Sequence, residues 1–196
     1  MAVLPLPSSP QPRSVTPRLI TARNELTPAF GGTVQRLNRK GSRYALAVEL
    51  PPMKYVDALA WDDLMAEVDT VLMNVPQPGL VIGSPGSPLV NGAGQSGSSL
   101  TLDGLTGGYV IRKGQWLSVV ISGRRFLYRA ASAATASGGG TVTVALRTML
   151  RSPPPDNAVV EIAAPMIEGF ARMADDALAV GIEHLVSLSF TIEERA

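Results

Sequence analysis

A glycine-rich stretch is the first candidate for chemistry in this chain. Gly92, Gly94 and Gly97 spell G-x-G-x-x-G, which in dinucleotide-binding folds joins a strand to a helix whose N-terminus holds a pyrophosphate. Here residues 98–102 are typical of a strand, and no acidic residue follows about 20 positions later, where a ribose ligand is expected. We therefore predict no nucleotide site, since a region so rich in glycine produces this spacing by chance.

Residue types that support catalysis or metal binding are sparse. His184 is the only histidine and the chain has no cysteine, so a histidine base, a cysteine nucleophile or a thiolate metal site would lack the usual partners. Two acidic pairs, Asp175-Asp176 and Glu193-Glu194, are adjacent in sequence rather than spaced as glycoside hydrolysis requires. A third pair, Asp62-Asp63, has no second cluster of ligands with which to form a functional site. We expect no catalytic residue, no bound cofactor and no metal ion, and predict that the protein is not an enzyme.

Basic residues are concentrated in one segment. Residues 104–155 contain seven basic and no acidic side chains, and net charges of +5, −5, +7 and −6 alternate over residues 1–50, 51–103, 104–155 and 156–196. Such alternation could join neighbouring segments or neighbouring subunits through complementary charge, whereas isolated surface pairs contribute little. The candidate contacts with another subunit or partner are Arg112, Lys113, Arg124, Arg125, Arg129, Arg147 and Arg151.

A second interpretation of the basic segment is a binding module. A small basic β unit could contact nucleic acid, with Trp116, Phe126 and Tyr128 stacking on bases, or a host-surface glycan. Apolar alternation predicts that part of this aromatic set faces a core instead, and an aromatic content of 5% argues against a sugar-stacking groove. We favour the assembly role, with arginines contacting acidic neighbours, and consider nucleic acid the less favoured partner.

Short strands must position these residues, because 16 prolines and 19 glycines favour turns over long helices. Alternating apolar and polar residues predict the strands. They cover residues 18–21, 33–37, 44–50, 117–121, 126–128, 142–146 and 186–192, with residues 38–42 as a hairpin loop between the second and third. No apolar run approaches the roughly 20 residues that span a bilayer, so we predict no membrane span.

Helical periodicity is strongest at residues 54–72. Ala60, Trp61 and Leu64 begin an apolar stripe at helical spacing, which predicts one principal helix lying on a sheet with Trp61 as its anchor. A second, short helix is predicted at residues 173–180. Residues 1–13 contain four prolines and should form an extended arm that either moves freely or is held by a partner.

The strands at 44–50 and 186–192 share length and pattern, which predicts that they lie in one sheet. The fold class is therefore mainly β, sandwich-like or barrel-like, with one principal α-helix. We expect two β-rich domains, the second inserted in the first. The first comprises residues 14–82 plus 164–196, and the second is a basic, barrel-like unit at residues 83–163.

Three stretches resemble the distal tail proteins of bacteriophages with long non-contractile tails. They are AFGGTVQRLNRKGSRYALAVELPPM near the start, RKGQWLSVVISGRRFLYRAASAATASGGGTVTVALRTMLRSPPPDNAVVEI in the basic segment, and VSLSFTIEER at the end. In that family a sandwich-like N-terminal domain with a helix forms a ring, commonly a hexamer, which joins the tail tube to the baseplate hub. The second domain projects outward and in some members carries sugar-binding or adhesin-docking modules.

This resemblance implies a structural virion protein at the tail tip, assembled in the host cytoplasm. Its implied partners are copies of itself, the tail tube protein, the baseplate hub and the tape-measure protein. The resemblance rests on pattern and supplies no catalytic or ligand-binding residue.

Overall fold

The computed structural model describes residues 3–61, 70–173, 179–180 and 185–195, and within these ranges the chain is mainly β. The first nine strands are β1 (Val3–Pro5), β2 (Ser14–Ile20), β3 (Arg23–Leu26), β4 (Gln35–Asn38), β5 (Arg43–Glu49), β6 (Met53–Lys54), β7 (Thr70–Asn74), β8 (Gly86–Val90) and β9 (Ser99–Leu105). The others are β10 (Val110–Ile111), β11 (Trp116–Ile121), β12 (Arg124–Arg129), β13 (Ala134–Thr135), β14 (Val142–Ala145), β15 (Val160–Glu161), β16 (Met166–Met173), β17 (Ala179–Val180), β18 (Leu185–Ser187) and β19 (Ser189–Glu194). The only α-helix in the described ranges is α1 (Tyr55–Ala58).

The largest sheet has six strands in the order β1-β7-β16-β19-β5-β2. Strand β19 runs antiparallel to β5, with Phe190 opposite Val48 and Ile192 opposite Leu46. All four side chains are buried, as the alternation of apolar residues requires. The prediction that the 44–50 and 186–192 stretches share a sheet is therefore confirmed. The second stretch divides at Leu188, however, because β18 pairs with β6 instead.

The proline-rich N-terminal arm lies along this sheet. Strand β1 pairs in parallel with β7, and the Leu6 amide donates to the Leu72 carbonyl at 2.8 Å. Farther on, the Arg13 amide donates to the Glu49 carbonyl at 2.8 Å, next to the opposite edge of the sheet. The extended arm is thus held by its own chain at both ends.

Of the helix predicted at 54–72, the structure describes only the two ends. Helix α1 (Tyr55–Ala58) is followed by a 3₁₀ turn at residues 59–61, and the Trp61 ring lies 5.9 Å from that of Phe190, so the predicted role of Trp61 as an anchor on the sheet is confirmed. The predicted end of the helix is wrong, because Thr70–Asn74 forms strand β7 between β1 and β16. A run of β-branched and apolar residues fits both patterns, and pairing on both sides selects the strand. Residues 62–69, with Asp62 and Asp63, lie outside the described ranges.

Two other local predictions need correction. The strand near 33–37 does not form a hairpin with 44–50, because β4 pairs with β3 in a separate two-stranded sheet. The helix predicted at 173–180 is wrong at both ends, since Met173 ends β16 and residues 179–180 form β17. In each case pairing with another strand supplies the hydrogen bonds that the local pattern assigned elsewhere. Residues 174–178 lie outside the described ranges.

Strands β8 to β15 form the smaller sheets β14-β9-β8, β12-β11-β15 and β10-β13. Isolated bridges between Leu89 and Val159 and between Ala130 and Leu146 connect them, and one hydrophobic cluster from residues 90–162 fills their interior. A second cluster lies under the six-stranded sheet and includes Trp116 from β11. The insertion of one domain in another stays a prediction.

Candidate interaction surfaces

The glycine-rich motif is a closed loop between strands β8 and β9. The side-chain amide of Gln95 donates to the carbonyls of Asn91 at 2.8 Å and Thr101 at 3.0 Å, and its oxygen accepts from the Thr101 amide at 2.7 Å. The Gly92 amide donates to an Asp156 carboxylate oxygen at 2.8 Å, and the Gly94 amide donates to the Pro154 carbonyl at 3.1 Å.

Two of the three motif glycines therefore use their N–H groups inside the chain, and a strand rather than a helix follows. Both observations agree with the prediction that this motif is not a nucleotide site.

Arg125 and Arg151, two of the seven candidate basic residues, each form an ion pair with a described residue of the same chain. Arg125 Nε lies 3.1 Å from Glu161 Oε1, and Arg151 is paired with Glu194. Both guanidinium groups already have a carboxylate partner, so neither is a free contact for another subunit.

The Arg151–Glu194 pair is the most deeply buried charged contact in the described part of the chain. The side chains are 7% and 1% exposed. The carboxylate of Glu194 also accepts from the backbone amides of Tyr44 and Leu127, both at 2.7 Å. Because Tyr44 belongs to β5 and Leu127 to β12, one carboxylate joins the six-stranded sheet to the basic unit.

Burial shifts the pKa of the Glu194 carboxylate in one direction, and its hydrogen-bonding and charged neighbours shift it in the other. Burial raises the pKa of Glu194 above its ordinary value, while the Arg151 guanidinium and the amides of Tyr44 and Leu127 lower it. Burial also raises the pKa of Tyr128, whose hydroxyl accepts from the Arg151 amide at 3.1 Å. The phenol therefore stays neutral and completes the polar shell around the pair.

A second polar network joins the same two parts of the fold. The Ser118 hydroxyl donates to Glu161 Oε2 at 2.6 Å and accepts from the Met166 amide at 3.0 Å. The buried Glu168 accepts from the Arg125 amide at 3.0 Å. These contacts connect β11, β12 and β15 of the basic unit with β16 of the large sheet.

The alternation of charge along the sequence has a counterpart in these contacts. Arg125 and Arg151 come from a basic segment and pair with glutamates of the acidic segment 156–196. A third pair, Arg43 with Glu193 at 2.6 Å, joins the first basic segment to the same acidic one. Complementary charge therefore joins segments within the chain.

Glu194 was not among our candidate residues, although the sequence contains a signal for it. Phe190, Ile192 and Glu194 follow one another at a period of two, and all three are buried. An acid that continues the apolar face of a strand is expected to need a buried partner.

Four other basic residues lie together and form what we call the basic patch, consisting of Arg112, Lys113, Arg129 and Arg147. Arg129 is held in place, because its Nε donates to the Gly114 carbonyl at 2.8 Å and its guanidinium lies 4.8 Å from the Trp116 ring centroid. The other three are exposed. None of the four pairs with a carboxylate among the described residues.

Arg124 completes the set of seven and lies elsewhere, at the opposite end of β12, with its guanidinium 5.4 Å from the Phe126 ring centroid. The seven basic residues therefore do not form a single surface.

The aromatic residues proposed for base stacking are not available. Trp116, Phe126 and Tyr128 are all buried, because each packs into one of the two hydrophobic clusters. The single-strand stacking hypothesis is therefore wrong for these three side chains.

The most exposed element is the two-stranded sheet of β3 and β4, which we call the hairpin arm (residues 23–38). Every residue from 23 to 40 is exposed, including Leu26, Val34 and Leu37, and Phe30 near the tip is fully exposed. An ion pair between Arg36 and Glu25 at 2.9 Å spans the strands. The arm therefore presents apolar side chains without covering them.

Other kinds of site receive no support within the described ranges. These residues contain no group of three or more metal-ligating side chains and no helix long and apolar enough to cross a membrane. His184 and the Asp175-Asp176 pair lie outside them. Glu193 and Glu194 each bind an arginine.

Comparison with known proteins adds no identification. No protein-family model matches this sequence, and the curated proteins give no significant match. The resemblance to distal tail proteins stays a prediction.

Proposed function

We propose that this chain is a structural virion protein that assembles with copies of itself into a ring at the distal end of a phage tail. In that role it joins the tail tube to the baseplate hub, next to the tape-measure protein. The tail-tip assignment rests on the sequence resemblance. Self-assembly rests on one structural observation, the uncovered hairpin arm.

The hairpin arm has the properties of a contact element. A two-stranded hairpin is marginally stable by itself in water, and this one leaves Leu26, Phe30, Val34 and Leu37 exposed. Exposed apolar groups on one element favour an interface that covers them. Docking on another subunit would bury these side chains and stabilise the ribbon.

A second copy offers a surface of matching chemistry. Helix α1 and the turn after it expose Tyr55, Val56 and Leu59. If the arm of one copy docks on this region of the next, the contact joins two different surfaces. Head-to-tail contacts of this kind close into rings when the rotation between copies is suitable.

Substitution of Phe30 by Asp is expected to prevent assembly. A central aromatic side chain commonly contributes 2 kcal/mol or more to an interface, roughly a 30-fold change in affinity. Mass photometry and negative-stain imaging should show closed oligomers for the wild type and mainly monomers for the variant at the same concentration. The thermal unfolding midpoint of the monomer should hardly change, because the Phe30 side chain is fully exposed.

Val81→Asp is the matched control, since Val81 is also exposed but lies in a connecting segment away from the arm. It should leave the oligomer intact. A wild type that stays monomeric at high concentration would contradict the ring itself. Rings that persist in the Phe30 variant would contradict only the role of the arm.

A further inference from the structure

Backbone hydrogen bonds bring three separate stretches together at the basic patch. The Gly114 amide donates to the Ala130 carbonyl at 2.9 Å, which places the turn with Arg112 and Lys113 beside the end of β12. The Arg147 amide donates to the Arg129 carbonyl at 2.9 Å. Four cations therefore occupy one end of the basic unit.

The patch differs from the other basic residues of this unit in how its charge is used. Arg125 and Arg151 face carboxylates of the same chain, whereas the patch meets none among the described residues. Residues 104–155 also supply no acidic side chain that could compensate it. Clustered like charges repel each other, and a ligand of opposite charge relieves that repulsion.

We propose that the basic patch is a docking site for a carboxylate-rich segment of another protein subunit. Three observations favour carboxylates over nucleic acid. The arginines of this unit that already have a charged partner bind glutamate. The aromatic residues that could stack on bases are buried. Arg129 is fixed by Gly114 and Trp116, which orients one guanidinium in advance, as recognition of a planar carboxylate requires.

This inference is independent of the proposed ring. A monomeric protein could bind an acidic partner through the patch, and a ring could assemble through the hairpin arm without using it.

The experiment measures fluorescence anisotropy of a labelled ten-residue glutamate peptide added to the full chain. The test variant combines Arg112→Ala, Lys113→Ala and Arg147→Ala, and leaves Arg129 unchanged because it packs on Trp116. A control variant with the same loss of charge combines Arg18→Ala, Arg39→Ala and Lys40→Ala, which are exposed elsewhere. Both variants should unfold at the wild-type temperature.

We expect the test variant to bind the peptide at least about tenfold more weakly and the control variant to change affinity less than about twofold. Because the two variants lose equal net charge, this difference would show that the position of the charges determines binding. Raising the salt concentration should weaken wild-type binding, because exposed charges are screened. Equal losses of affinity in both variants would show that binding depends only on net charge, and this would overturn the proposal. Wild-type protein that binds no peptide would also overturn it.

Competition identifies the class of ligand. Unlabelled glutamate peptide should displace the probe more effectively than an oligothymidylate of equal charge or inorganic polyphosphate. If the oligothymidylate or the polyphosphate competes better, the patch prefers phosphate and the carboxylate assignment is wrong.

Discussion

Glu194→Ala should lower the free energy of unfolding by about 3–5 kcal/mol, the loss expected when one partner of a buried ion pair is removed. The substitution leaves the Arg151 guanidinium buried without its carboxylate. It also removes the acceptor for the amides of Tyr44 and Leu127, which bond to Glu194 at 2.7 Å. Urea denaturation at neutral pH, followed by tryptophan fluorescence, measures the change.

Glu193→Ala is the matched control at the neighbouring position. Glu193 also pairs with an arginine, Arg43, but its side chain is 19% exposed, and partly exposed pairs contribute about 1 kcal/mol or less. Equal destabilisation by the two substitutions would show that the burial of Glu194 does not matter, and would contradict the role assigned to it.

A double substitution separates the charge from the amide contacts. Glu194→Leu with Arg151→Met replaces both ions by apolar groups of similar length, which often restores much of the stability lost by breaking a buried pair. The amides of Tyr44 and Leu127 would stay unpaired, and each unsatisfied buried group costs about 1–3 kcal/mol. We therefore expect the double variant to be more stable than Glu194→Ala and less stable than the wild type.

Gly169→Ala should be comparably harmful, with a loss of about 3 kcal/mol at the upper end of the range for overpacking. Gly169 lies in β16 opposite Glu194 of β19. A Cβ atom there would lie 2.1 Å from the Glu193 carbonyl oxygen and 2.5 Å from its carbon. These are backbone atoms inside the six-stranded sheet, so relief requires β16 and β19 to separate.

Gly138→Ala provides the comparison. A Cβ atom at Gly138 would meet no atom within 4 Å, so this substitution should change stability by less than about 0.5 kcal/mol. A wild-type unfolding midpoint for Gly169→Ala would mean that the two strands lie farther apart than described.

Glu194→Ala and Gly169→Ala both act on strand β19, where the large sheet meets the basic unit. Strand β19 pairs with β5 and β16 in the large sheet, and its last residue, Glu194, binds Leu127 and Arg151 of the basic unit. The hairpin arm is connected to β2 and β5 of the large sheet, whereas the basic patch belongs to the basic unit. The contacts at Glu194 therefore connect the parts of the fold that carry the two proposed surfaces.

Local alternation was enough to predict several of the strands in the described part of the chain, although it missed β7, β8 and β16. The stretches at 44–50, 117–121, 126–128 and 142–146 correspond closely to β5, β11, β12 and β14. An alternating pattern places apolar side chains on one face of an extended backbone, whatever strand lies beside it. The same rule, extended two residues beyond Ile192, places Glu194 on the buried face of β19.

The alternation of apolar residues does not predict which strand pairs with which. The β4 strand had a plausible neighbour at 44–50, but β5 pairs with β2 and β19 and leaves β4 to β3. Residues 70–74 fit a helical stripe and a strand equally well until β1 and β16 supply hydrogen bonds on both sides. Sequence patterns contain no information about edges that are completed by residues far away in the chain.

By itself the sequence determined that this is a mainly β chain with segregated charge and no recognisable catalytic set. Only the tertiary structure decided what each charge does. Arg147 and Arg151 are four residues apart in one basic segment, yet Arg147 is exposed and Arg151 is buried against Glu194. The physical reason is that the energy of a charge depends on its burial and its partner, and folding brings that partner from 43 residues away.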